Sequence, residues 1–271
     1  MNREAIGGIK HPAYRDAIAL TRAGGRSATG RYLAEDVDLT RQALRAHAGG
    51  QAEVFAVFAT PDAVQQIEPD FAGVQNVPLY VLGPGLLSKL VGTGYETAVA
   101  AVAVVGQRSI LPADLLTSPN ALILCGERIQ DPRNVGVLIR TAEAVGCAGL
   151  LLSADSSEPF SRQAVRSTTG SILRLPVALT ADLPAALSDL RSRGARIVAA
   201  SGEATLTAFD ADLSPRPLVL IVGNEQQGVS DAVLAVADLD VRLPMAQTGV
   251  DSLNVTVAAG ALLYEAVRQG R

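Results

Sequence analysis

Tryptophan is absent from this chain, and histidine, cysteine and methionine occur twice each in 271 residues. Each scarcity removes a class of chemistry. His11 and His47 stand alone, so neither a histidine-based hydrolase nor a histidine-ligated metal site has support. Cys125 and Cys147 fit no metal spacing and no disulfide framework, and neither lies in a polar motif suited to a nucleophile. Such sparse cysteine use fits a reducing cytoplasm. Phenylalanine and tyrosine number five each, which leaves few platforms for stacking bases. No uninterrupted apolar run reaches the ~18 residues of a membrane-spanning helix. Met1-Asn2-Arg3-Glu4 has no apolar stretch behind it, so no secretory signal is expected. Walker A, GxSxG and HExxH patterns are missing, and Gly92-Thr93-Gly94-Tyr95 lacks the third glycine of a dinucleotide loop and reads as a turn.

What remains is a globular composition, 48% hydrophobic and 18% charged, long enough for one large domain or two modest ones. The net charge of −4 is unevenly spread. Residues 1–50 hold eight Lys/Arg against five Asp/Glu, whereas the rest hold fifteen against twenty-two. A basic first portion on an acidic body is a weak footprint of a phosphate-bearing partner, although ordinary surface variation gives the same pattern.

Short strands alternate with helices up to about residue 108. Helix is expected over 12–22, 39–47, 61–67 and 86–91, strand near 32–34 and over 54–59, 78–82 and 97–105, and loop over 23–30. A small α/β unit over 1–108 follows, with 107–119 as a proline-bearing linker. From 119 to 271, buried-strand patterns at 121–125, 150–152, 197–200, 218–222 and 239–243 alternate with helices at 134–145, 183–193 and 253–268. That order predicts a mostly parallel sheet.

The polar residues of this second part fall at strand-to-helix junctions, where α/β proteins place ligand chemistry. Val222-Gly223-Asn224-Glu225 ends a buried strand with a glycine, a carboxamide and a carboxylate. Taken alone it is a turn with a helix cap. Asp251-Ser252-Leu253-Asn254 opens the last helix, with Asp251 or Ser252 as its cap and Leu253, Val257, Leu262 and Leu263 as core. Asp131-Pro132-Arg133-Asn134 starts another helix, with Arg140 about two turns in. Arg166 precedes Ser167-Thr168-Thr169-Gly170, a second polar loop closed by glycine.

In combination these segments are specific. Asp131-Pro-Arg-Asn-Val-Gly-Val-Leu-Ile-Arg140, Ile221-Val-Gly-Asn-Glu-Gln-Gln-Gly-Val-Ser230, and Leu243-Pro-Met245 followed by Ser252-Leu-Asn-Val-Thr-Val-Ala-Ala-Gly260 resemble the three ordered motifs of the SpoU/TrmH family of RNA ribose 2′-O-methyltransferases. The resemblance covers roughly 119–271. Residues 1–108, with Arg31-Tyr-Leu-Ala-Glu35, are similar to the small ribosomal-protein-like RNA-binding domain preceding many members. Glu35-Asp36 stands where most relatives have Glu-Gly, and resembles the thiostrepton-resistance branch.

The resemblance implies a catalytic domain with a deep trefoil knot, a feature no periodicity could show. It also implies S-adenosylmethionine as methyl donor and a homodimer whose sites draw on both chains. Gly223, Leu243, Met245, Ser252, Leu253 and Asn254 would form the cofactor pocket, and Asn134 and Glu225 its polar network. Arg140 would act on the ribose hydroxyl, with Ser252 and Asn254 beside it. Arg22, Arg26, Arg31 and Arg166 are the expected RNA contacts. No metal is called for, and base C5-methylation has no nucleophilic cysteine to use. Ribosomal RNA, most of all 23S, is the expected substrate. Transfer RNA, a resistance methylation of ribosomal RNA, and a non-catalytic RNA-binding or assembly role are the alternatives.

Overall fold

The computed structural model describes residues 2–92, 99–246 and 252–270. They divide into two compact units, Met1–Arg108 with Phe160–Arg174, and Ser109–Pro159 with Leu175–Arg271. The first runs β1 (Asn2–Ala5), α1 (Pro12–Ala19), α2 (Ala23–Thr29), β2 (Arg31–Glu35), α3 (Val37–Ala48), β3 (Val54–Ala59), α4 (Pro61–Ile67), β4 (Pro78–Val81), α5 (Pro84–Val91) and β5 (Ala101–Gly106). The chain continues with β6 (Ser109–Ile110), β7 (Leu122–Gly126), α6 (Pro132–Val145), β8 (Gly149–Ser153), α7 (Arg162–Ser167), β9 (Val177–Thr180), α8 (Leu183–Ser192), β10 (Arg196–Ala200), β11 (Leu218–Val222), α9 (Asp231–Leu234), β12 (Leu239–Val241) and α10 (Val255–Gln269).

In the first unit a mixed five-stranded sheet has the order β1-β4-β3-β5-β2. β5 runs antiparallel to both neighbours, and the other pairs are parallel. Tyr14, Leu33, Phe58, Leu87, Leu90 and Val102 form its core. Arg31–Glu35 starts beyond Gly30, whose φ of 63° closes α2 in the left-handed region. Residues 23–30, expected as a loop, are instead helical up to Thr29. Asp36 follows β2 at a φ of 93° and caps α3 by accepting from the Leu39 amide at 2.7 Å. With ψ at 166° this is a conformation that glycine adopts far more easily, and the aspartate adds the cap that glycine lacks.

Phe160–Arg174 belongs to this unit although the sequence places it within 119–271. Its Phe160 ring lies 5.3 Å from that of Tyr32. Arg162 forms a bidentate ion pair with the buried carboxylate of Glu35. The Glu35 side chain thus anchors a segment from the other half of the chain, a long-range contact that no local pattern records.

The second unit holds a seven-stranded sheet of order β12-β10-β11-β7-β8-β9-β6, parallel throughout. β7, β8 and β11 are buried along their whole lengths, which explains their unbroken apolar sequences. Ile123, Leu151, Leu187, Ile197, Val219 and Ile221 lie in one core cluster. The parallel sheet was expected. β6, β9 and α9 were not, being only two to four residues long. α10 is capped by Asn254, whose Oδ1 accepts from the Thr256 amide at 2.9 Å, rather than by Ser252; Asp251, the other expected cap, lies outside the described residues. Leu262 and Leu263 are core, whereas Leu253 and Val257 are exposed.

Candidate active site

A cleft of about 350 Å³ opens where three neighbouring parallel strands end. Its floor includes Ala200 of β10, Val222 of β11 and Val241 of β12. The carboxyl ends of parallel strands are where open α/β sheets bind ligands, because each loop leaving there carries free backbone polar groups. Gly223, Asn224, Glu225, Leu243, Met245, Ser252, Leu253 and Val255 line the remaining walls. Five of the six expected cofactor residues are thus on one cleft. The sixth, Asn254, is the cap of α10 beside it.

Gly223 has a physical reason that differs from the one its motif suggests. A Cβ there would sit 2.2 Å from the carbonyl carbon of Gly228. The collision is with the loop's own backbone, not with space for a ligand. Asn224 and Gly228 exchange backbone hydrogen bonds of 3.0 and 2.9 Å, closing the loop on itself. The Asn224 side chain accepts from the amides of Gln226 and Gln227 and donates to the carbonyl of Arg128 at 2.8 Å. Gly223 is what lets the strand turn into so tight a loop.

The polar network forms because β7 and β11 are neighbours, with Gly126 opposite Val222. Loops that leave adjacent strands meet, although 91 positions separate Asn134 from Glu225. Asn134 donates to Glu225 Oε1 at 2.8 Å, and the Gln130 and Asp131 amides donate to the same carboxylate at 3.3 and 3.5 Å. Asn254 Nδ2 reaches Asn134 Oδ1 at 3.4 Å, tying in the start of α10. Burial alone would raise the Glu225 pKa, but the Asn134 bond and the backbone amides outweigh it and hold the carboxyl below its ordinary 4.5. Glu225 is therefore an ionised, saturated acceptor that orients its donors, and a poor proton acceptor.

Arg140 stands apart from this cluster. It is exposed on α6 and makes no hydrogen bond or ion pair with the described residues. Burial pushes the Cys147 thiol up to about 12 and the Cys125 thiol higher still, so neither supplies a thiolate. Among the described residues no group of three or more His, Cys, Asp and Glu side chains could hold a metal ion.

The four expected RNA contacts separate. Arg22 is exposed. Arg31 is half-buried, its guanidinium 3.5 Å over the Phe55 ring. Arg166 lies on α7 in the first unit, close enough to Asp36 to act on its charge. Arg26 is a correction: it is only 5% exposed and donates to the Leu20 carbonyl at 2.9 Å, so it braces the α1–α2 corner instead of facing solvent.

Sequence reasoning passed over two parts of the site. Ala200-Ser201-Gly202 lines the cleft, and its strand ending in Ser-Gly was a legible sign of a third ligand loop. Glu127 and Arg128 hold the 223–230 loop from the adjacent strand, and nothing local marks them.

An all-parallel α/β unit with a strand-end cleft and a carboxamide–carboxylate cluster at its rim defines a ligand-binding domain of the kind that carries enzyme sites. Residues 121–264 match the SpoU rRNA Methylase family, and the chain belongs to that family. An uncharacterized tRNA/rRNA methyltransferase of Synechocystis is 34% identical over 98% of this chain and 94% of its own. The crystal structure of an AdoMet-bound rRNA methyltransferase from Sinorhizobium meliloti superposes with a TM-score of 0.82 at 27% identity, covering 98% of both chains. That of an RNA 2′-O ribose methyltransferase gives 0.75 at 27% identity over 98% of both. Among the described residues no helix is long and apolar enough to cross a membrane.

Proposed function

We propose that this chain transfers the methyl group of S-adenosylmethionine to a ribose 2′-hydroxyl of ribosomal RNA, 23S first among its targets, and that it does so as a homodimer. The class of reaction, methylation of RNA at a ribose oxygen, follows from its family and from relatives that match both units. The observation that carries the assignment of the site is the meeting of Asn134, Glu225 and Asn254 at the rim of the strand-end cleft.

The cleft's chemistry fits the cofactor. Leu243, Met245 and Leu253 offer apolar surface for a flat base, with Met245 and Leu253 uncovered at the mouth, and the loop backbone offers polar groups to read its edge. When bound, the cofactor supplies a methyl group on a positively charged sulfur. The chain's own task is to align the ribose oxygen and ease loss of its proton. Neither histidine belongs to the cleft lining, both thiols are buried, and Glu225 is saturated with donors. A guanidinium is a poor base, so Arg140 serves as a fork on the neighbouring phosphate that also stabilises charge growing on the oxygen, and the hydroxyl proton passes to solvent water as the methyl–sulfur bond breaks.

Arg140 is exposed and is not among the residues lining the cleft, which favours a site completed by a second copy. Val257 and Tyr264, two turns apart on α10, are 55% and 60% exposed and give that helix an uncovered apolar stripe. Sedimentation equilibrium of the full chain should return a dimer, and Val257→Glu should return a monomer with little methylation. A wild-type monomer with full activity removes the dimer from the account. Ribosomal and transfer RNA offered in parallel with labelled cofactor separate the substrates, and labelling confined to transfer RNA would replace the ribosomal reading.

A further inference from the structure

The loop 223–228 forms one wall of the cleft, yet much of what holds it comes from two residues on the loop after β7. Glu127 is buried and accepts from both the Ser230 amide, at 2.8 Å, and the Ser230 hydroxyl, at 2.5 Å. Arg128 Nη1 donates to Gln227 Oε1 at 3.0 Å, and Nη2 reaches the Gly228 carbonyl at 3.5 Å. Its Nε lies 3.7 Å from Glu127 Oε1, so the pair acts as one strap. The backbone of Arg128 takes part as well, donating to Ser153 Oγ and accepting from Asn224 Nδ2, each at 2.8 Å.

Arg128 holds this position at a φ of 53°, where glycine is easier to accommodate. A long charged side chain in a glycine-favouring conformation needs a reason beyond the turn. We propose that Arg128 is a positioning residue for the cofactor cleft, fixing the 223–228 wall through Gln227 and Gly228 while touching no ligand itself. This rests on the reading of the cleft as the S-adenosylmethionine site.

The backbone conformation offers a clean separation of roles. In Arg128→Gly the turn is relieved and the backbone hydrogen bonds can persist, while the side-chain strap is lost. The full chain carrying Arg128→Gly should melt within about 2 °C of wild type. Its affinity for S-adenosylmethionine, measured by calorimetry, should fall about tenfold, as loss of a charge-assisted contact predicts. KM for the cofactor should rise by the same factor, with kcat at saturating cofactor within about twofold. Gln227→Ala should weaken binding in the same direction, and the double variant should be no worse than Arg128→Gly alone. Arg128→Lys, which keeps the charge but not the fork, should recover part of the affinity. Wild-type affinity in Arg128→Gly overturns the proposal. So does a fall in RNA affinity with an altered salt slope and unchanged cofactor binding, which would make Arg128 an RNA contact. If wild type itself fails to bind the cofactor, the underlying reading of the cleft is what fails.

Discussion

Arg140 is the residue on which the proposed chemistry turns, and its exposure sharpens the test. A surface arginine paired for stability is worth under ~1 kcal/mol, and its removal leaves catalysis almost untouched. An arginine that stabilises a developing oxyanion is worth about 100-fold or more in rate. Arg140→Ala should therefore abolish most single-turnover methyl transfer while leaving the cofactor isotherm unchanged, and Arg140→Lys should recover little because the fork geometry is lost. Equal loss of rate and cofactor binding would recast it as structural. Gly223 behaves in the opposite way. A Cβ placed 2.2 Å from backbone cannot be relieved by rotating a side chain, so Gly223→Ala should cost about 1–3 kcal/mol of stability and open the loop. Melting temperature and cofactor affinity should fall together. These residues stand at strand-to-helix junctions, but each motif alone reads as a turn or a cap, and their expected roles came from the resemblance of the three ordered motifs to the family. Glu127 and Arg128 were not legible, since their partners Ser230 and Gln227 lie about a hundred positions away.

At the scale of the element, Glu225 is one of the ties between the loops after β7 and β11. Its folded pKa lies below the ordinary 4.5, so the carboxylate contributes stability above that pH and loses it as pH drops through the lower, folded value. A Glu225→Gln variant should accordingly melt below wild type at neutral pH, with the gap narrowing below about pH 4.5. A gap independent of pH would mean that the carboxylate's charge has no part in holding Asn134 and the 130–131 amides. The long apolar strands β7, β8 and β11 were readable because burial on both faces leaves a continuous signature. The polar edge strand β1 was missed, since what fixes it is parallel pairing with β4 rather than its own residues. Helix α2 was missed because two glycines mimic a loop while Gly30 ends the helix and Arg26 braces its corner.

For the whole molecule, the sequence suggests a cut at residue 119, and the structure shows what that cut would remove. Phe160–Arg174 packs with the first unit, where Tyr32 and Glu35 hold Phe160 and Arg162. A 119–271 fragment keeps every cleft residue but leaves this segment without its partners. Such a fragment should melt well below the full chain and bind apolar dyes, even where it retains cofactor affinity. Equal stability would mean that the Glu35–Arg162 pair and the Tyr32–Phe160 contact carry little.

In the proposed reaction, methyl is delivered to a ribose oxygen. Ribosomal RNA methylated by the full chain with labelled S-adenosylmethionine should be hydrolysed in alkali and the products resolved. A 2′-O-methyl group blocks attack on the adjacent phosphodiester, so label should appear in alkali-resistant dinucleotides and be absent with Arg140→Ala. Label recovered in mononucleotides or on a base would contradict it.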